Sequence, residues 1–341
     1  MFLTFGTFQF NLVNTRSIIN PTVCESILVL VKGINMIHID GSNSKLYMKF
    51  EKILPSAQGM GIWNDNAFIL YDTGECAVYN LESKNPNPIA SFPLGSYNNG
   101  NPSKEYLNHA NSCMFGTIHS EGNPIPLLYV TTGTGTGYDE DGYFCRCAVE
   151  DIREVKKGNG VTVFTAQTLQ TISLRPVGSL MQGYQAPCWG CPSWLVDTER
   201  KELYILSARY RTIRGQVPER EHNQYIITTF PLPELSDGSL VTLTYDDIID
   251  QFSVTSDIQF TQGGTLINRK IYYTYGCPRL GYPLSLAVFD IEEKNMCTLV
   301  ENMDEAFANE EIECCALYQE KLLCNTCDGS IYIVGDGILP I

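Results

Sequence analysis

Apolar and polar residues alternate in short runs along most of the chain, and Gly, Asn, Asp and Pro break the runs. That period of two predicts strands and turns, not helices. The pattern is plainest in Gln58-Gly59-Met60-Gly61-Ile62-Trp63-Asn64-Asp65-Asn66-Ala67-Phe68-Ile69-Leu70-Tyr71. It returns as Gln262-Gly263-Gly264-Thr265-Leu266-Ile267-Asn268-Arg269-Lys270-Ile271-Tyr272-Tyr273. Each copy opens on Gln-Gly, runs through an apolar strand, turns at Asn and enters an aromatic-rich strand. A strand pair that recurs within one chain predicts a repeat architecture, here an all-β fold of the β-propeller type.

Turn signals divide the chain into sets of strands. A lone strand is expected at 45–53. A first blade follows at 59–63, 67–72, 76–81 and 89–94, and a second at 113–119, 127–132, 144–154 and 161–174. The third blade is expected at 194–197, 202–209, 225–231 and 241–245, with no clear alternation in 246–260. The fourth falls at 263–267, 270–275, 284–291 and 296–301. The fifth, at 313–318, 321–324 and 330–334, is one strand short. Strand 45–53 supplies the missing one, so five blades of four antiparallel strands close on strands from both termini and leave no open edge. Residues 45–341 are thus expected to form a single propeller domain. Residues 1–44 fit the repeat poorly and read as an N-terminal extension, or as sequence attached by an early start codon.

The loops separate by face. Turns between first and second strands are mostly tight, at 64–66, 199–201, 268–269 and 319–320. The long segments 95–111, 133–142, 176–192, 210–224 and 276–283 gather on the opposite face. Long loops on one side of a rigid scaffold are where function concentrates.

Composition narrows the partners. The 341 residues carry 38 acidic against 23 basic side chains, a formal net charge of −15. Nucleic acid is not an expected partner, because phosphate backbones require Lys/Arg patches. Membrane insertion is not expected either: the apolar run 26–31 is far too short to span a bilayer. The first residues lack the basic start of a secretory signal, Arg16 being the first positive charge. A monomer without cofactor is expected. The 13 cysteines are scattered, many in strand-like runs (Cys76, Cys145, Cys147, Cys297, Cys314, Cys315, Cys324), where a thiol acts as a small buried hydrophobe. That favours a reducing compartment.

The long loops hold an inventory suited to binding. Asn108, His109 and Asn111 lead into an inner strand that aims them at the ring axis. Tyr184, Trp189 and Trp194 can stack on sugars or aromatic groups, and Arg209, Arg211, Arg214 and Arg279 can grip carboxylates. Tyr138, Asp139, Asp141, Glu219, Glu221 and His222 occupy the same face. The plainer alternative packs the Trp side chains between blades and pairs the arginines with Glu219, Glu221 and Asp139. Gln58-Gly59 and Gln262-Gly263 read as structural, since Gly suits crowded backbone near an axis.

Other motifs are weaker. Cys188-Trp189-Gly190-Cys191 and Cys324-Asn325-Thr326-Cys327 share the CxxC spacing of zinc or redox sites, but they lie far apart in sequence and no helix start precedes them. No metal site is therefore expected. Asp139-Glu140-Asp141-Gly142 has its Gly misplaced for a calcium loop. Carboxylates for glycoside hydrolysis are present on the loops without a fixed separation. His109, His119 and His222 have no nucleophile motif beside them.

Several segments carry a family likeness: Tyr71-Asp72-Thr73-Gly74, Phe92-Pro93-Leu94-Gly95-Ser96, Asn108-His109-Ala110-Asn111-Ser112, Phe115-Gly116, Pro126-Leu127-Leu128-Tyr129-Val130 and the second Gln-Gly strand. Over residue 45 to the C-terminus the chain resembles a group of uncharacterised bacterial five-bladed β-propeller proteins. The resemblance implies the fold and points to export and to a setting near carbohydrate-handling systems; it carries over no catalytic residue. Phe260-Thr261-Gln262-Gly263 resembles plant-type glutaminyl cyclases over that strand alone. The Ser-x-Asp-x-Gly-x-x-Trp boxes of sialidases are absent. Export by resemblance stands against a cytoplasmic setting by cysteine count and missing signal. Two functions follow as expectations: a non-catalytic propeller binding a glycan or peptide on its long-loop face, or a glycan-active hydrolase or lyase on that face, using loop carboxylates with His109.

Overall fold

The computed structural model describes residues 36–72, 74–96, 109–132, 144–158, 162–187, 192–209 and 223–337. Among them 22 strands form five sheets, and the helical elements are short 3-10 turns. In chain order, β1 (Ile37–Asp40) and β2 (Lys45–Lys49) precede the first complete blade, β3 (Ala57–Trp63), β4 (Asn66–Tyr71), β5 (Glu75–Asn80) and β6 (Ala90–Pro93). The second blade comprises β7 (Ser112–His119), β8 (Pro126–Thr131), β9 (Phe144–Lys156) and β10 (Thr162–Leu174). Next come β11 (Ser193–Asp197), β12 (Glu202–Ala208), β13 (Asn223–Pro231), β14 (Leu240–Leu243) and β15 (Asp250–Ser256). The fourth blade is β16 (Thr261–Ile267), β17 (Lys270–Cys277), β18 (Tyr282–Asp290) and β19 (Asn295–Glu301), and the chain ends in β20 (Ile312–Tyr318), β21 (Lys321–Thr326) and β22 (Ser330–Ile333).

The sheets are β3-β4-β5-β6, β14-β10-β9-β8-β7, β11-β12-β13-β15, β1-β19-β18-β17-β16 and β2-β22-β21-β20. This is a five-bladed β-propeller. Its closure is the one the strand count demanded: β2 pairs antiparallel with β22, Lys45 opposite Ile333 and Lys49 opposite Ser330. The two ends of the ring thus share one sheet, and β22, which would otherwise end the fifth blade, is covered by β2.

The core lies between blades. Leu127, Cys147, Ile172, Trp194, Leu203 and Phe230 interlock the second and third blades, and Phe68, Val78, Cys113, Leu128 and Ala148 the first and second. Each inner face is an apolar pleat pressed on the next, as in packed sheets elsewhere. Trp194 is fully buried in this layer, so it is a packing residue and not a stacking platform. Cys76, Cys113, Cys147, Cys314, Cys315 and Cys324 are free, buried thiols.

One strand differs from expectation. Residues 241–245 do not complete the third blade: β14 crosses back to the second, running parallel to β10 with Leu240 opposite Thr171. The fourth strand is β15, antiparallel to β13, from the stretch that showed no alternation. The reason is its place at the rim: Asp250–Ser256 is half-exposed on both faces, so no alternating burial marks it. β1, grouped on sequence with the extension, likewise adds a fifth, parallel strand to the fourth blade.

Candidate functional site

The Gln-Gly repeat is a pair of β-bulges. In β3, Ala57 faces Tyr71 and Met60 faces Ile69, so Gln58 and Gly59 share one partner position. In β16, Thr261 faces Tyr275 and Gly264 faces Tyr273, leaving Gln262 and Gly263 the same way. The fifth blade repeats the device with other residues: Ile312 faces Thr326 and Cys314 faces Asn325, which leaves Glu313 extra. A bulge turns a side chain out of the pleat. The fourth, fifth and first blades, consecutive around the ring, therefore each bulge at the start of the innermost strand, on the long-loop face.

Just below, the axis is nearly closed. A Cβ on Gly263 would lie 2.6 Å from the Glu313 carbonyl oxygen and 2.7 Å from that of Asn111, and one on Gly59 2.7 Å from that of Ala110. Only small residues fit this waist. The Ser112 hydroxyl donates to the Gly264 carbonyl oxygen at 3.3 Å, and Cys314 Sγ lies 3.8 Å from the same oxygen.

Above the waist the rim is polar and acidic. Ligand atoms of Glu311, Glu313 and Cys327 all lie within 4.8 Å of one another, a donor set able to hold a cation. Gln262 Nε2 donates to Glu311 Oε1 at 2.9 Å, which fixes that carboxylate. Burial pushes the Cys327 thiol up to about 12, with further pushes from Glu313, Asp328 and Glu311 and an opposing pull from Arg279. Arg279 pairs with Asp328 and lies 3.9 Å from Cys327 Sγ. Lys52 Nζ donates to the Cys327 carbonyl oxygen at 3.0 Å. His109 stands at the same end; burial holds it below the ordinary imidazole value, while the charges of Asp72 and Glu311 pull the other way.

Of the sequence candidates, His109, Asn111 and Arg279 are brought to this mouth. Tyr184 instead packs half-buried against the core between the second and third blades. Arg209 donates from Nη1 to Gln224 Oε1 at 3.2 Å, away from the cluster. Asn108, Tyr138, Asp139, Asp141, Trp189, Arg211 and His222 lie outside the described residues, as do Glu219, Glu221 and the first CxxC pair. The second CxxC does not join its thiols: Cys324 packs between the fourth and fifth blades opposite Cys315, and Cys327 joins the mouth. Glu311, Glu313 and Cys327 were missed on sequence. One signal existed, since Glu313 occupies in its blade the position of Gln58 and Gln262.

Other concavities open among the described residues. A pocket of about 320 Å³ at the short-turn end of the axis is lined by Met60, Ile62, Met114, Phe115, Ile267 and Leu317, among others. A cleft of about 580 Å³ opens on the long-loop side of the fourth blade.

No protein-family profile matches the chain, and no curated protein matches it. Among solved structures, it is similar to the glutaminyl cyclase of Myxococcus xanthus at a TM-score of 0.45 and 11% identity, over 88% of this chain and 97% of that one. It is similar to the computationally designed Ika8 protein at a TM-score of 0.32 and 5% identity, over 85% of this chain and 99% of that one. The fold assignment rests on the strand pairing described above.

Proposed function

We propose that this propeller is a non-catalytic binding protein whose long-loop face takes a peptide, seating a protonated amine of the ligand against Glu311 and Glu313 at the axial mouth. The gathering of two carboxylates and a thiol within 4.8 Å carries the reading. Like charges held this close in a half-buried site disfavour one another, and an ammonium offers three donors that relieve them. The test is a thermal-shift screen with short peptides, each with a free or an acetylated amino terminus. Shifts are expected only with the free amine, and Glu313→Gln should abolish them. Equal shifts from both forms would exclude amine recognition.

One observation favours a second reading. His109, whose burial lowers its proton affinity below the ordinary imidazole value while the Asp72 and Glu311 charges pull the other way, stands beside carboxylates in the arrangement general base catalysis uses. A glycan-active hydrolase or lyase would draw its second carboxylate from the long loops. Turnover of a glycan that survives His109→Gln would end this alternative.

A further inference from the structure

The cleft on the fourth blade lies apart from the axial mouth and shares none of the side chains Glu311, Glu313 and Cys327. Its walls come from three chain segments: the connection entering β16, the turn between β17 and β18, and the end of β19 with the connection beyond. Each contributes chemistry of one kind. Asp257 stands on the first, and Glu301 and Asp304 on the last, while among the described residues no lysine or arginine lines the cleft. Leu280, Tyr282 and Pro283 form the apolar wall.

We infer that this cleft is a binding pocket for an organic cation, a guanidinium or ammonium carried on an apolar stem. The wall is preformed. Tyr282 is 7% exposed and stacks on Phe260 with ring centroids 5.2 Å apart and planes 28° from parallel. Asp304 is fixed by the Leu284 amide, which donates to Oδ1 at 2.8 Å, so its other oxygen keeps its lone pairs for a ligand. Glu301 is held by His38 at 3.0 Å. Carboxylates from separate segments accept the forked or triple donors of such a cation, and its stem lies along Leu280 and Pro283 as lysine and arginine stems lie on apolar surface. The volume of about 580 Å³ falls in the range of small-ligand sites.

The same cation occurs on a free polyamine and on a basic peptide side chain. Calorimetric titration of the intact chain at low salt with agmatine, spermidine and acetyl-arginine amide separates the two sources. Acetyl-citrulline amide, close in shape but neutral, is the control. Saturable binding of at least one cation is expected, with the citrulline compound roughly tenfold weaker or worse. Asp257→Lys, an exposed substitution, should weaken the cation by about tenfold or more, and should do so equally in a Glu313→Gln background, in which amine binding at the axial mouth is removed. Absence of saturable binding by all three cations overturns the inference. So does equal binding of the citrulline compound, or a loss caused by Glu313→Gln and not by Asp257→Lys.

Discussion

The two ends of the ring axis are built from the same five strands and have opposite character. On the long-loop end, β3, β16 and β20 present Gln58, Gln262 and Glu313. On the short-turn end the same strands present Ile62, Ile267 and Leu317 around the pocket of about 320 Å³. Between them sits the waist of Gly59, Gly263 and Cys314. Each inner strand is thus polar, then small, then apolar along a few residues. The difference teaches that the bulges of the inner strands and the connections beside them, which bring Glu311 and Cys327, together set the polarity of the mouth. The extra residue takes Gln58 and Gln262 out of the regular pleat, and Gln262 then bonds to the Gly276 carbonyl oxygen and to Glu311.

The largest effect should come from exchanging the characters of the ends. Ile267→Asp places a charge at the buried apolar end and should cost about 4 kcal/mol in urea unfolding. Gln262→Leu, on the same strand, removes the bonds to Glu311 and to the Gly276 carbonyl oxygen and should cost only about 2 kcal/mol. Equal costs would show that the two ends are energetically alike. Gly263→Ala tests the waist: its Cβ meets two backbone carbonyl oxygens, at 2.6 and 2.7 Å, which cannot rotate away. A loss of about 1–3 kcal/mol is expected, as for an overpacked core, and an unchanged midpoint would mean that the ring opens easily.

Glu313→Gln sharpens the account of the acidic mouth. Removing the strongest neighbouring charge should bring the Cys327 thiol down from about 12, moving the pH profile of its alkylation to lower pH. A profile that stays in place would show that the Glu313 charge does not contribute to the shift. The smallest effect concerns His109, whose proton affinity is lower in the fold than its ordinary value of 6.5. The unfolded chain then binds the proton more readily, so this residue's contribution is fully present above pH 6.5 and declines as the pH falls below it. In wild type compared with His109→Gln, chemical denaturation at several pH values should show that decline only in wild type.

Much of the fold was legible in the chain. The hairpin at Asn64 and its counterpart at Asn268 mark blades because Asn accepts the left-handed backbone seen there, φ 51° and 48°. Closure by strand 45–53 followed from a fifth blade one strand short. β15 and β1 escaped notice because rim strands are exposed on more than one side and lose the alternation that burial imposes. At the site, His109, Asn111 and Arg279 were named from their loops. Gln58 and Gln262 were seen but read as structural, since a bulge is a mismatch between two strands and one strand alone does not display it.

By itself, then, the order of residues determined the strands, their repeat, the count of blades and the face that bears the long loops, because these depend on local periodicity and turn chemistry. The tertiary structure alone decided which residues meet at the axis. Glu311, Glu313 and Cys327 are brought together through the pairing of β20 with β21, and Gln262 reaches Glu311 across a blade boundary. Such contacts depend on strand register and ring closure, which a pattern read along one strand does not contain.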